Sequence, residues 1–172
     1  YGKSRLYQDF MVYRELDYVT VRVRVDWQEH LSMLKIRFPL QLNYLRASYE
    51  IPYGVAQREP NGQEFPVQNF MDFEGANPGM ETGIAGLSII TDTRSSCSTQ
   101  NKDACVTVLR SPVFAQHEPY QRREDLEYDY IDNGVSEFTY YLYPHCDCWE
   151  HGKTVQLARS ILQKPITLFE TY

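Results

Sequence analysis

Apolar and polar residues alternate with a period of two over much of this chain. Val19, Val21, Val23 and Val25 are interleaved with Thr20, Arg22, Arg24 and Asp26. That pattern predicts a strand with one dry face and one wet face. Leu34, Ile36, Phe38, Leu40 and Leu42 alternate with Lys35, Arg37, Pro39 and Gln41, predicting a second strand. Proline cannot donate a ladder hydrogen bond, so Pro39 points to a sheet edge or a bulge. Phe138, Tyr140 and Leu142, spaced by Thr139, Tyr141 and Tyr143, predict a third strand. Shorter apolar runs at 87–90, 106–109 and 166–169, and the stretches 46–51 and 65–73, also read as extended.

Strong turn signals separate these runs: Pro60-Asn61-Gly62, Asn77-Pro78-Gly79 and Asp132-Asn133-Gly134. Many strands at short spacing with Gly/Pro turns predict an all-β fold, a large antiparallel β-sandwich with little helix. The one helical candidate is short, at 155–162. Residues 117–132 crowd Arg122, Arg123, Glu124, Asp125, Glu127, Asp129 and Asp132 into a stretch poor in aliphatics, read as a solvated loop or a rim that meets another part of the protein. Residues 94–104, rich in Ser, Thr and Asn, read as a loop between two apolar strands.

With 172 residues the chain is long enough for one domain with its own core. Its net charge of -6 argues against nucleic acid or an anionic membrane as partner, since both reward a basic face. No apolar run approaches the ~18 residues needed to cross a bilayer as a helix. The chain opens at Tyr1 without Met or a recognisable leader, which we read as a boundary inside a larger protein. The four cysteines, Cys97, Cys105, Cys146 and Cys148, are too sparse for a disulfide scaffold and read as free thiols, as in a cytoplasmic protein.

The sharpest metal-like cluster is Cys146 and Cys148 with His151, where thiolates and imidazole at short spacing suit zinc. Cys-x-Cys is tighter than the usual Cys-x2-Cys and lacks a second pair, so no metal is expected there. Gly2-Lys3-Ser4 mimics the end of a P-loop, but the upstream glycine, preceding strand and following helix are missing. Trp27 and Trp149 are candidate sugar platforms, although an indole of this size usually packs in a core or at its rim. No carboxylate pair stands out as a glycosidase acid and nucleophile.

Six short motifs follow in fixed order: Glu50-Ile51-Pro52-Tyr53-Gly54, Glu64-Phe65-Pro66-Val67-Gln68, Gly86-Leu87-Ser88-Ile89-Ile90-Thr91-Asp92, Leu109-Arg110-Ser111-Pro112, Asp132-Asn133-Gly134 and Leu142-Tyr143-Pro144-His145. As a set, with Asp72 and Trp27, they resemble the C-terminal β-domain of family 38 glycoside hydrolases, the zinc-dependent α-mannosidases. The resemblance implies a supersandwich of the galactose-mutarotase-like kind and a non-catalytic role inside a larger retaining enzyme. The zinc and the catalytic Asp would then belong to a separate N-terminal domain, with no cofactor here. The same resemblance makes His145-Cys146-Asp147 a decoy, because the family's zinc-binding His-x-Asp belongs to that other domain. The partners implied are the rest of the parent enzyme and its mannoside or oligosaccharide substrate; a homo-oligomer is also compatible. The chain departs from the family pattern at Asn69-Phe70, at Thr91-Asp92-Thr93-Arg94-Ser95, and at Ser136, where a His is frequent. The resemblance nevertheless points to the loop from Asp92, with Asp92 and Arg94, as the part lent to the substrate cleft. A stand-alone carbohydrate-binding sandwich and a purely structural or self-associating domain are the alternatives.

Overall fold

The computed structural model describes residues 2–115, 121, 123 and 125–170. The part of the charged 117–132 segment at 117–120, 122 and 124 lies outside the described residues. The alternating runs become strands: β1 (Arg5–Val12), β2 (Val19–Trp27), β3 (Met33–Pro39), β4 (Asn43–Ile51), β5 (Gly54–Arg58) and β6 (Asn61–Pro66). They continue as β7 (Phe70–Ala76), β8 (Ile84–Ile90), β9 (Ser96–Gln100), β10 (Asp103–Arg110) and β11 (Gly134–Cys146), followed by one helix, α1 (Thr154–Leu162).

Two antiparallel sheets face each other. One has seven strands in the order β1-β2-β11-β8-β7-β4-β5, the other four in the order β3-β10-β9-β6. Between them lies the main core. Val21, Val23, Val25 and Trp27 of β2 meet Tyr49, Met71, Phe73, Ile89, Phe138 and Tyr140 from the large sheet and Cys97, Val106 and Val108 from the small one. Fully burying a residue such as Phe73 or Ile89 contributes roughly 1.5–3 kcal/mol. Trp27 donates its indole N–H to Ser111 Oγ at 3.0 Å inside this core, so it is not a sugar platform.

The outer face of the large sheet is covered in part by α1. Phe70, Ile90 and Ala158 form a second buried cluster, against which Val55, Tyr141, Tyr143, Trp149, Val155 and Ile161 pack. Trp149 therefore packs beside Phe70, with ring centroids 6.2 Å apart. Every residue of β7 from Phe70 to Gly75 is buried, because core lies on one side of the strand and helix on the other.

Three expectations need correction. The 94–104 stretch is not one loop: it contains β9, whose Cys97 pairs Val106 and Phe65, so its Ser and Thr residues are strand residues. The 166–169 run is no strand; Ile166, Leu168 and Phe169 are 86 to 90% exposed. The alternation beginning at Leu34 leaves the sheet at Pro39, the last residue of edge strand β3. The bulge in this pair sits in β10 between Thr107 and Leu109. The turn chemistry is plain at Pro52-Tyr53, which joins β4 to β5 across the Ile51–Gly54 pair. Pro52 supplies the first corner and Tyr53 carries a φ of 67°, as the second corner of a type II turn requires.

Candidate functional site

The motif residues fall into three places. The first is a cavity of about 510 Å³ at one end of the small sheet, lined among others by Glu64, Thr93, Arg94, Arg110 and Asp132. Arg94 reaches it from the turn after β8. Its guanidinium lies 4.0 Å from the centre of the Phe138 ring, donates to Ser136 Oγ at 2.9 Å and donates to the Thr93 carbonyl at 2.9 Å. Two positions that depart from the family pattern, Arg94 and Ser136, thus touch each other. Burial pulls the Arg94 pKa down, against the opposing pull of Asp132. Asp132 itself, at φ 59°, accepts the Arg110 N–H at 3.1 Å and so ties the turn before β11 to the end of β10.

Across this cavity Glu64 is enclosed by donors. Ser96 Oγ gives it a hydrogen bond at 2.7 Å, and Thr107 Oγ and the Lys35 ammonium give it shorter ones. Burial raises the Glu64 pKa, but these donors outweigh it and hold the carboxyl below its usual 4.5. Cation, carboxylates, hydroxyls and a cavity of this size are the groups that hydrogen-bond a polyhydroxylated ligand. Asp92 does not join them. It is exposed and lines a separate cavity of about 210 Å³ with Glu50, Asn69, Arg159 and Gln163 at the end of α1. The structure therefore separates the two residues that the sequence grouped in one loop.

The second place is buried. Asp72 on β7 and His145 on β11 form a pair with Nε2 2.7 Å from Oδ2, their side chains 0% and 2% exposed. Ser88 on β8 donates to the same carboxylate oxygen at 2.5 Å and sits 2.7 Å from Thr154 Oγ1, the first residue of α1. Next along β7, Glu74 binds Arg46 at 2.7 Å and accepts the Trp149 N–H at 3.1 Å. Burial lowers the His145 pKa, but the hydrogen bond and charge of Asp72 win, and it ends above 6.5. Burial raises that of Glu74. The arrangement is a clamp rather than a nucleophile relay, because Ser88 and His145 both address Asp72 and do not bond one another. His145 Nδ1 is 3.2 Å from the Asp147 carbonyl, so both ring nitrogens are engaged and His145-Cys146-Asp147 does not fit as a zinc-binding pair. Sequence reading named Asp72 and His145 as motif positions without joining them. Ser88, a lone hydroxyl inside an apolar strand, was the signal available for a buried polar network.

The third place is the turn between β11 and α1. Asp147, Cys148 and His151 bring a carboxylate oxygen, a thiol and a ring nitrogen within 4.8 Å of one another. Cys146 does not belong to this group, contrary to the sequence grouping. All four cysteines are free thiols. No helix among the described residues is long and apolar enough to cross a membrane.

Two packed antiparallel sheets with one clamped helix define an all-β sandwich. The sequence model of the glycosyl hydrolases family 38 C-terminal domain matches residues 1–118, and the chain belongs to this family. It is similar to the human alpha-mannosidase 2C1, at 27% identity over 166 residues that cover 92% of this chain and 14% of the human protein. A Saccharomyces cerevisiae alpha-mannosidase is 25% identical over 134 residues, covering 77% of this chain and 11% of its own. A solved family 38 protein from Enterococcus faecalis superposes with a TM-score of 0.71 at 18% identity, covering 91% of this chain and 18% of its own. An alpha-mannosidase structure from Enterococcus faecalis V583 gives 0.72 at 16% identity, with 91% and 17% covered. The chain thus spans only about one-seventh of the curated relatives' length.

Proposed function

We propose that this chain is the non-catalytic β-sandwich of a retaining, metal-dependent α-mannosidase acting on terminal α-mannosides. It braces the catalytic domain, whose zinc and nucleophile lie elsewhere in the parent, and Arg94 is the residue it lends to the substrate cleft. Family membership supports the assignment to an α-mannosidase. The bracing role rests on one observation: Leu6, Phe10, Val12, Tyr13 and Leu16, on β1 and the segment after it, leave a run of apolar side chains 41 to 76% exposed. A strip of that kind marks an interaction surface, here one for the rest of the parent. Four free thiols agree with a cytoplasmic parent.

The test is α-mannosidase activity of the full-length parent, with and without zinc, beside the 172-residue chain in the same assay. Turnover by the parent alone, lost on chelation, is expected. Turnover by the chain would overturn the non-catalytic reading, and an inactive parent would overturn the enzymatic one. The carbohydrate-binding alternative draws on the Arg94 cavity, and mannoside affinity of the chain by itself would favour it.

A further inference from the structure

The turn between β11 and α1 holds donors that neither the clamp nor the Arg94 cavity uses. Asp147, Cys148 and His151 differ in chemistry: a hard oxygen, a soft sulfur and a borderline nitrogen. Their ligand atoms lie within 4.8 Å of each other. His151 Nδ1 is 3.0 Å from Asp147 Oδ2. Around a tetrahedral zinc ion with bonds of about 2.0–2.3 Å, neighbouring donors stand about 3.3–3.7 Å apart. The donors are therefore already near the required spacing, and closure asks for about 1 Å of side-chain movement. A further carboxylate is in reach: Cys148 Sγ lies 3.3 Å from Glu150 Oε2.

The backbone beneath these groups is pinned from outside the cluster. Trp149 N–H is held by Glu74 of β7, and Gly152 sits against the buried His145 ring, where an added Cβ would come within 3.2 Å. The donors thus project from a turn that the sheet fixes in place, which lowers the ordering cost of binding. The side chains also face solvent, with His151 74% exposed, so an ion can reach them.

We propose that Asp147, Cys148 and His151, with Glu150 or water in the fourth position, form a binding site for a borderline-soft divalent cation of the zinc type. On binding, the Cys148 S–H bond breaks, its proton passes to solvent, and the sulfur lone pair forms the metal bond. His151 contributes the ring nitrogen now turned to Asp147. The role implied is a staple across the entry to α1.

The experiment is titration of the reduced chain with cobalt(II), a spectroscopic stand-in for zinc, at neutral pH. One equivalent is expected to raise a thiolate-to-cobalt charge-transfer band that zinc then displaces. Cys148→Ser removes the band, His151→Gln weakens binding at least tenfold, and Cys146→Ser and Cys105→Ser leave it unchanged. A second reading does not depend on variants: zinc slows alkylation of Cys148 at least tenfold without slowing that of Cys146, read by peptide mass. Absence of the band in the unmodified chain, its survival in Cys148→Ser, or equal protection of both thiols would each overturn the site.

Discussion

An interior strand and an edge strand of the seven-stranded sheet carry opposite fates on one scaffold. At β7 the strand is buried on both faces, and its two carboxylates are held by partners: His145 and Ser88 on Asp72 Oδ2, Arg46 and the Trp149 backbone on Glu74, while Asp72 Oδ1 has no hydrogen-bond partner among the described residues. At β1 almost every residue is exposed, including Phe10 at 60% and Val12 at 76%. Composition does not explain the difference, since each strand carries two charged residues, Asp72 and Glu74 in β7 and Arg5 and Asp9 in β1. Coverage explains it: α1 and the small sheet enclose β7, while β1 pairs only with β2 at the sheet's edge. Charged groups can be interior when partners hold them, and apolar groups stay outside where no layer of the fold covers them.

This contrast can be broken most severely at Asp72. Asp72→Ala leaves the buried His145 without its partner and is expected to cost about 3–5 kcal/mol, measured as a lowered urea midpoint at unchanged slope. Gly86→Ala comes next. A Cβ at Gly86 would stand 2.2 Å from the His145 ring, closer than any real contact, so the ring must leave its place beside Asp72. Overpacking of this kind costs about 1–3 kcal/mol, readable as a drop in thermal midpoint.

A smaller effect belongs to Glu64, at the cavity end. Because its folded pKa lies below 4.5, its contribution to stability is present above that value and fades as pH falls through the lowered folded pKa. Glu64→Gln is expected to flatten the acid limb of a stability-versus-pH curve and to cost about 1 kcal/mol at neutral pH. The smallest change in stability is expected at β1, where Phe10→Ser should stay within about 0.5 kcal/mol for the chain alone. The same substitution should loosen the parent, seen as faster proteolysis between its domains. An equal loss in the isolated chain would show that β1 is ordinary core rather than a surface awaiting a partner.

Much of the fold was legible because periodicity is a local signal. Val19 to Val25, Phe138 to Leu142 and the short helix near 155–162 appear where alternation and apolar spacing put them. β1 was not legible, since its apolar residues fall on both faces, Leu6, Phe10 and Val12 on one and Tyr7 and Met11 on the other, and show no clean alternation. β9 was hidden by its Ser and Thr residues, which are buried by pairing with β6 and β10 rather than by hydrophobicity. Of the residues around the cavity, Arg94 was named from the sequence as a cleft residue, whereas Glu64, Arg110 and Asp132 were named only as motif positions. These are 16 to 38 residues from Arg94 in the chain, and only the packing of the sheets makes them neighbours. Asp72 and His145 illustrate the same limit, 73 residues apart in the chain yet hydrogen-bonded at 2.7 Å.

β11 also sets an order of events. It is the last strand among the described residues, yet it stands between β2 and β8, which have no direct ladder to each other. Until it arrives, the β1–β2 hairpin has no hydrogen-bonded link to the rest of its sheet. During synthesis the earlier strands must therefore wait, edges open, for a segment made more than a hundred residues after β2 begins. Pairing over such separations is slow, and open edges invite the wrong neighbour. The rate-limiting step in assembling this sandwich should be the insertion of its final strand, with the helix closing behind it.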